Sequence, residues 1–121
     1  MALDVTVESN ADFRRWYAAQ LRPAFAPATP LQLAGYRYVM SAQCSACHNI
    51  SGTTANGQVA PDLTHFASRR SIGAGTLPMN TGNLYGWVAD AQSQKPGNHM
   101  PTIAPDPAQL HAIVAYLEVL K

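Results

Sequence analysis

A chain of 121 residues with 12% charged side chains, two cysteines and a formal net charge of +1 is one small domain with at most a tail. The charged fraction is about half the roughly 25% usual in soluble domains, which leaves no nucleic-acid footprint and little long-range steering by net charge. No run approaches the about 18 consecutive apolar residues of a membrane span, and the N-terminus lacks the basic, apolar, small-residue order of a signal peptide, so the chain as written reads as soluble.

Leu3, Val5 and Val7 alternate with polar neighbours, as in a short half-buried strand. Ser9 with Asp12 three residues on resembles a capping box, opening a helix whose Phe13, Trp16, Tyr17 and Leu21 share one face. Pro23, Pro27 and Pro30 make the stretch from Arg22 to Pro30 a stiff linker that cannot continue that helix. The domain boundary is placed there: residues 1–30 are an extension and connector, residues 31–121 the main domain. Thr29 followed by Pro30 caps a second helix, on which Leu31, Ala34, Gly35, Tyr38, Val39 and Ala42 recur at helical spacing.

That helix delivers the chain to Cys44-Ser45-Ala46-Cys47-His48, the attachment signature of a c-type haem. Each thiol can add to one porphyrin vinyl group, and the following imidazole then lies under the ring, where its nitrogen can bind iron. A thioredoxin-like pair would need a βαβ context, and a structural zinc site a second pair of ligands. Because c-type haem is attached outside the bacterial cytoplasmic membrane or in the equivalent organelle space, the polypeptide must be exported. The reading therefore expects Met1-Ala2 to begin an excised piece.

After His48 a Gly-, Thr- and Asn-rich stretch to Ala60 reads as loop. Asp62 can cap a short helix running to about Arg70. Thr81 or Asn83 can start another, with Leu84, Trp87, Val88 and Ala91 inward. A loop with Pro96, Gly97, Pro101 and Pro105 leads to Asp106-Pro107, which opens a last helix with Leu110, Ile113, Val114, Leu117 and Leu120 in one stripe. Beyond the first seven residues no strand pattern is visible, so the main domain is expected to be all-α.

A second iron ligand decides between electron transfer and ligand chemistry. Among Met40, Met79, Met100, His65, His99 and His111, the sequence favours Met100, which lies in a loop bounded by Pro96 and Pro101 that can hold a side chain without a helix of its own. A thioether favours ferrous iron and raises the potential over a second histidine, which suits a carrier. His99 is the nearest competitor, and Met79 or an open site also stay in play.

From residue 31 to the C-terminus the pattern resembles the class I cytochrome c family, which implies that all-helical fold around a covalent haem c. The resemblance implies that Gly35 on the first helix of the domain packs against Tyr116 on the last. It also implies that the Pro61 carbonyl, in Ala60-Pro61-Asp62-Leu63, bonds the second nitrogen of His48. Ala60 departs from the family's glycine. Trp87 matches a family tryptophan whose indole reaches a haem propionate, with plain core packing as the other reading. Arg69 and Arg70 can pair with propionates through their guanidinium groups, or simply end a solvated helix.

A narrower resemblance, in the runs from Pro61 to Arg70 and from Ala74 to Pro78 and in the Lys95-Pro96-Gly97-Asn98-His99-Met100-Pro101 loop, is to the cytochrome c domain fused to subunit II of caa3-type cytochrome c oxidases. The N-terminal segment looks like the end of that subunit's copper domain, with no copper ligand set present. The resemblance implies an electron-transfer domain rather than an enzyme on its own. It would receive electrons from a donor complex or small redox protein and pass them to the oxidase's binuclear copper centre, on the periplasmic side of a membrane reached only through the parent subunit and its membrane partners. Tethering would make steering lysines unnecessary, and only Lys95 and Lys121 exist. The competing readings are a free-standing periplasmic cytochrome c and a haem ligand sensor or peroxidase.

Overall fold

The computed structural model describes residues 5–41 and 43–121, and among these it forms five α-helices, one 3₁₀ turn and one two-stranded hairpin. Helix α1 (Asn10–Gln20) starts at Ser9, whose hydroxyl accepts the Asp12 N–H. Val5 to Glu8 ahead of it form no strand. Alternation alone gives no partner for their backbone groups, and a strand without a partner is not a stable element. Leu3 and Ala42 lie outside the described residues.

Helix α2 (Pro30–Met40) and helix α5 (Pro107–Leu117) are bounded by the same device. Thr29 and Asp106 each accept the N–H three residues on, while Gln32 and Gln109 reach back to the cap, and proline occupies the first turn of both. The two helices make the largest helix-to-helix contact in the molecule. Their crossing is set by Gly35: a Cβ there would lie 1.9 Å from the Ala112 carbonyl oxygen and 2.9 Å from the Tyr116 Cβ. The expected Gly35–Tyr116 contact is present, with the Ala112 backbone the tighter neighbour. Tyr36 stands edge-on to Tyr116 at 5.5 Å between centroids.

The core gathers where these helices meet α3 (Thr81–Ala89) and the loop after α2. Val39, Ile50, Leu84, Ile113, Val114, Tyr116 and Leu120 are its most deeply buried members. Asn80, rather than Thr81 or Asn83, caps α3 by accepting the Asn83 N–H at 2.8 Å. The helix expected after Asp62 shrinks to a 3₁₀ turn over Phe66–Ser68. Its Asp62 carboxylate instead takes the Thr64 N–H at 2.7 Å and the Asn49 amide, so the cap ties two loops rather than starting a helix.

Two elements were not read from the sequence. Strands β1 (Ser71–Ile72) and β2 (Leu77–Pro78) pair antiparallel around a turn in which Gly73, Ala74 and Gly75 all have positive φ. Helix α4 (Ala91–Gln94) is a single turn capped by the Asp90 carboxylate. Both are too short for hydrophobic periodicity to register.

Candidate haem-attachment site

The segment after α2 closes into a tight turn because the Cys47 and His48 N–H groups both donate to the Cys44 carbonyl, at 3.1 and 2.9 Å. Both thiols are half-buried and neither is in a disulfide. Burial, and behind it the charge of Cys47, push the Cys44 thiol up from its ordinary value. It is therefore not a thiolate poised for exchange chemistry.

Residues 57–60 fold back onto this turn. The Gly57 N–H donates to the His48 carbonyl at 3.1 Å, and the Val59 and Ala60 N–H groups donate to the Cys47 carbonyl at 3.2 and 2.9 Å. A Cβ on Gly57 would come within 2.4 Å of the Cys47 carbonyl carbon, so this loop carries glycine where it crosses the cysteine backbone. The sequence reading treated Gly57 as ordinary loop; only its distance of ten residues from a motif cysteine hinted otherwise.

His48 Nδ1 lies 2.6 Å from the Pro61 carbonyl oxygen, the contact expected of these two residues. A carbonyl only accepts, so Nδ1 is the donor and Nε2 is the nitrogen left to face a metal. The contact orients the imidazole, as a second partner does for a metal-binding histidine. Pro61 is fixed in turn by the Leu63 N–H on the Asn49 carbonyl, at 2.8 Å, and by the Asn49 amide on Asp62. Partial burial pushes the Asp62 carboxyl up. Hydrogen bonds from the Thr64 and Asn49 side chains, the Thr64 N–H and the Arg69 charge outweigh it and hold the group below the usual carboxylate range.

The Arg69 guanidinium donates to the Asp62 carbonyl and lies 5.8 Å over the Phe66 ring, which bonds it into the same loop. Arg70 is exposed beside it and offers its carbonyl to the Met79 N–H at 3.0 Å. Trp87 is half-buried on α3 with its six-membered ring under Gly73, 2.6 Å from where a Cβ would stand. The Gly73 carbonyl also receives the Lys95 ammonium at 2.8 Å, so this cation holds the hairpin to the start of the Met100 loop.

Met100 is half-buried at the end of that loop. Its N–H donates to Asn98 Oδ1 at 2.7 Å and its carbonyl accepts from Gln92 Nε2 at 2.7 Å. Pro61 and Arg69 thus gather in the loops around His48, while Trp87 and the Met100 loop are linked through the Gly73 hairpin, which Trp87 packs on and Lys95 binds. The other candidate ligands have different surroundings. Met40 is half-buried against the core with the Thr54 hydroxyl 3.6 Å from its sulfur. Met79 packs there too, the His65 ring meets the Gln20 carbonyl at 3.2 Å, and His99 and His111 are exposed.

The donor set fits a covalent haem: two free thiols on one turn, an imidazole with Nε2 unengaged, and a thioether on a braced loop. Among the described residues no group of three or more His, Cys, Asp or Glu side chains stands together for a metal ion such as zinc.

A family model described as Cytochrome c matches residues 33–121. The chain is 35% identical over 113 residues to "Cytochrome c oxidase subunit 2" of Alkalihalophilus pseudofirmus, covering 91% of this chain and 32% of that protein. It is 34% identical over 88 residues to the protein of that name in Bacillus sp. (strain PS3), covering 69% and 24%. With that of Bacillus subtilis it shares 26% over 126 aligned positions, covering 100% and 35%. The chain spans about a third of the length of the first and last of these relatives.

Proposed function

The chain belongs to the cytochrome c family, and from that premise we propose that it is the electron-accepting domain of a caa3-type haem-copper oxidase's subunit 2. Its cofactor is haem c, bonded through Cys44 and Cys47, which supplies a one-electron carrier. In this reading the domain takes electrons from a donor complex or small redox protein and passes them to the oxidase copper centre. It is a carrier, not an enzyme by itself.

Each residue's task follows from its chemistry. His48 would offer Nε2 to iron while the Pro61 carbonyl keeps the ring from turning. Met100 would supply a soft thioether as second ligand, which favours the reduced state. Trp87, Arg69 and Arg70 are the donors for the two propionates.

The observation that carries the assignment to an oxidase subunit is the extent of the similarity. Relatives named as subunit 2 align over 91% and 100% of the chain, well into the segment ahead of residue 33. A free carrier would share only the haem domain. On this reading residues 1–30 are the end of the copper domain and its connector. The aromatic face of α1 supports it: the Phe13 ring lies 5.8 Å from Trp16 and 6.1 Å from Tyr17, each about half exposed. The Lys95 ammonium donates to the Gly73 carbonyl, so the one lysine near the Met100 loop is held to the hairpin rather than standing free. The domain then faces the periplasm on a parent anchored in the membrane. Among the described residues, no helix is long and apolar enough to cross one.

The decisive experiment pairs haem-loaded protein with its Met100→Ala variant. Wild type should show the ferric methionine–sulfur charge-transfer band and bind carbon monoxide slowly. The variant should lose the band, bind carbon monoxide readily and drop in potential by more than about 59 mV, a tenfold change for one electron. A band and potential unmoved by the substitution would remove Met100. Rapid carbon monoxide binding by wild type would favour a sensor or peroxidase. A copper-binding domain upstream in the parent gene decides for fusion, and a signal peptide there for a free carrier.

A further inference from the structure

The loop that carries Met100 has no regular secondary structure, yet both backbone polar groups of Met100, the Gly97 N–H and the Asn98 carbonyl are engaged by one of two side-chain amides. Gln92, on the single-turn helix α4, donates from Nε2 to the carbonyls of Asn98 and Met100, at 2.8 and 2.7 Å, and its Oε1 accepts the Gly97 N–H at 3.2 Å. Two amide hydrogens and one oxygen thus serve three loop peptides, so no donor of that side chain remains unused. Asn98 completes the frame: its Oδ1 takes the Met100 N–H, and its Nδ2 binds the Ala91 and Lys95 carbonyls at 2.9 and 2.7 Å.

Helix α4 is itself anchored. Asp90 Oδ1 caps it through the Gln92 N–H at 3.1 Å and takes the Thr102 hydroxyl at 2.8 Å, from just beyond the loop. Both ends of the Met100 segment therefore return to α4, and the middle is gathered by one half-buried glutamine.

We propose that Gln92 is the positioning residue for the Met100 thioether, fixing the loop so that the sulfur stays at the iron and resists displacement by outside ligands. The inference rests on the reading of Met100 as the distal ligand. A loop without this brace can swing its sulfur away at small cost, because a ligand held by a mobile segment gives up the bond in exchange for conformational entropy.

The test uses the full chain loaded with haem, as wild type, Gln92→Glu, Gln92→Ala and Gln94→Ala. Glutamate keeps the shape of glutamine but brings no donor to the two carbonyls, so it separates hydrogen bonding from packing. Gln94, exposed on the same short helix, is the control. Imidazole binding to the ferric protein and the intensity of the methionine–sulfur band are the readouts.

Gln92→Glu loses the two bonds to carbonyls and Gln92→Ala loses all three, so imidazole affinity should rise at least about tenfold in both variants, with a weakened band and unchanged covalent haem. Gln94→Ala should match wild type. Gln92→Glu or Gln92→Ala protein with a full band and imidazole affinity within about twofold of wild type would overturn the proposal. A wild-type band that is absent from the start would instead overturn the ligand assignment beneath it. Should Gln92→Ala fail to fold, the isosteric glutamate variant still decides.

Discussion

Tyr116 shows how a single buried atom can be costly. Its ring is fully enclosed, and its hydroxyl is the one buried side-chain polar atom without a partner among the described residues. Burial first, and the Tyr36 phenol second, push its pKa up to about 12. An unfolded tyrosine ionises near about 10, so between these values the unfolded chain releases a proton that the folded one keeps. Stability is then complete below about pH 10 and falls as pH rises toward 12. Tyr116→Phe should be neutral or stabilising by up to about 1 kcal/mol at pH 7 and should flatten that alkaline decline. Thermal unfolding of both proteins from pH 7 to 11 checks it; a loss above about 1 kcal/mol at pH 7 would show that the hydroxyl has a partner once haem is present. At this scale the sequence makes legible the residues whose type announces their chemistry: the Cys44 and Cys47 pair with His48 after it, and Met100 as the proposed distal ligand. It hid Gly57 and Gln92, because a close backbone approach and a side-chain amide aimed at distant carbonyls leave no mark in composition or spacing.

Helices were legible where polar caps and prolines fix their starts. Thr29-Pro30 and Asp106-Pro107 each combine a cap, a reciprocal glutamine and a proline that needs no N–H, and both helices begin there. The element starting at Asp62 carried the same kind of cap, but the carboxylate was drawn to Asn49 and Thr64 by the packing of the loops. Tertiary contact decided what local preference left open. The α2–α5 crossing depends on Gly35 in a way no cap can replace. Gly35→Ala places a methyl 1.9 Å from the Ala112 carbonyl oxygen, so the helices must separate or slide. The substitution should cost about 1–3 kcal/mol despite alanine's better helix propensity, since overpacking outweighs the roughly 1 kcal/mol that propensity returns. Denaturant unfolding of the haem-loaded protein measures it, and a stabilised variant would show that the crossing has room.

At the scale of the molecule, the question is whether residues 1–28 belong to the haem domain or only rest on it. Among the described residues 5–28 the Gln20 carbonyl meets the His65 ring at 3.2 Å, the Ala24 N–H donates to the Ser51 carbonyl at 2.9 Å, Pro23 sits against Gly52 and Ala24 packs against the core. Between α1 and the loop from Asn49 to Arg69 lies a polar cleft of about 630 Å³ rather than a packed interface. Helix α1 buries none of its residues, and its aromatic face is half exposed, with Trp16 lining the cleft. Two hydrogen bonds of about 1 kcal/mol each and the small apolar contacts of Pro23 and Ala24 are minor beside a core built from α2, α3 and α5. A chain of residues 29–121, which keeps the Thr29 capping box, should therefore take up haem covalently, retain the methionine–sulfur band and lose no more than about 2–3 kcal/mol of stability. Removing α1 should also reduce self-association at high concentration, because the exposed Phe13, Trp16 and Tyr17 go with it. Sedimentation of the two chains, alongside their denaturant curves, reads both effects. A truncated chain that fails to hold haem would make α1 part of the domain's own fold and move the boundary from the proline linker to the N-terminal side of the helix.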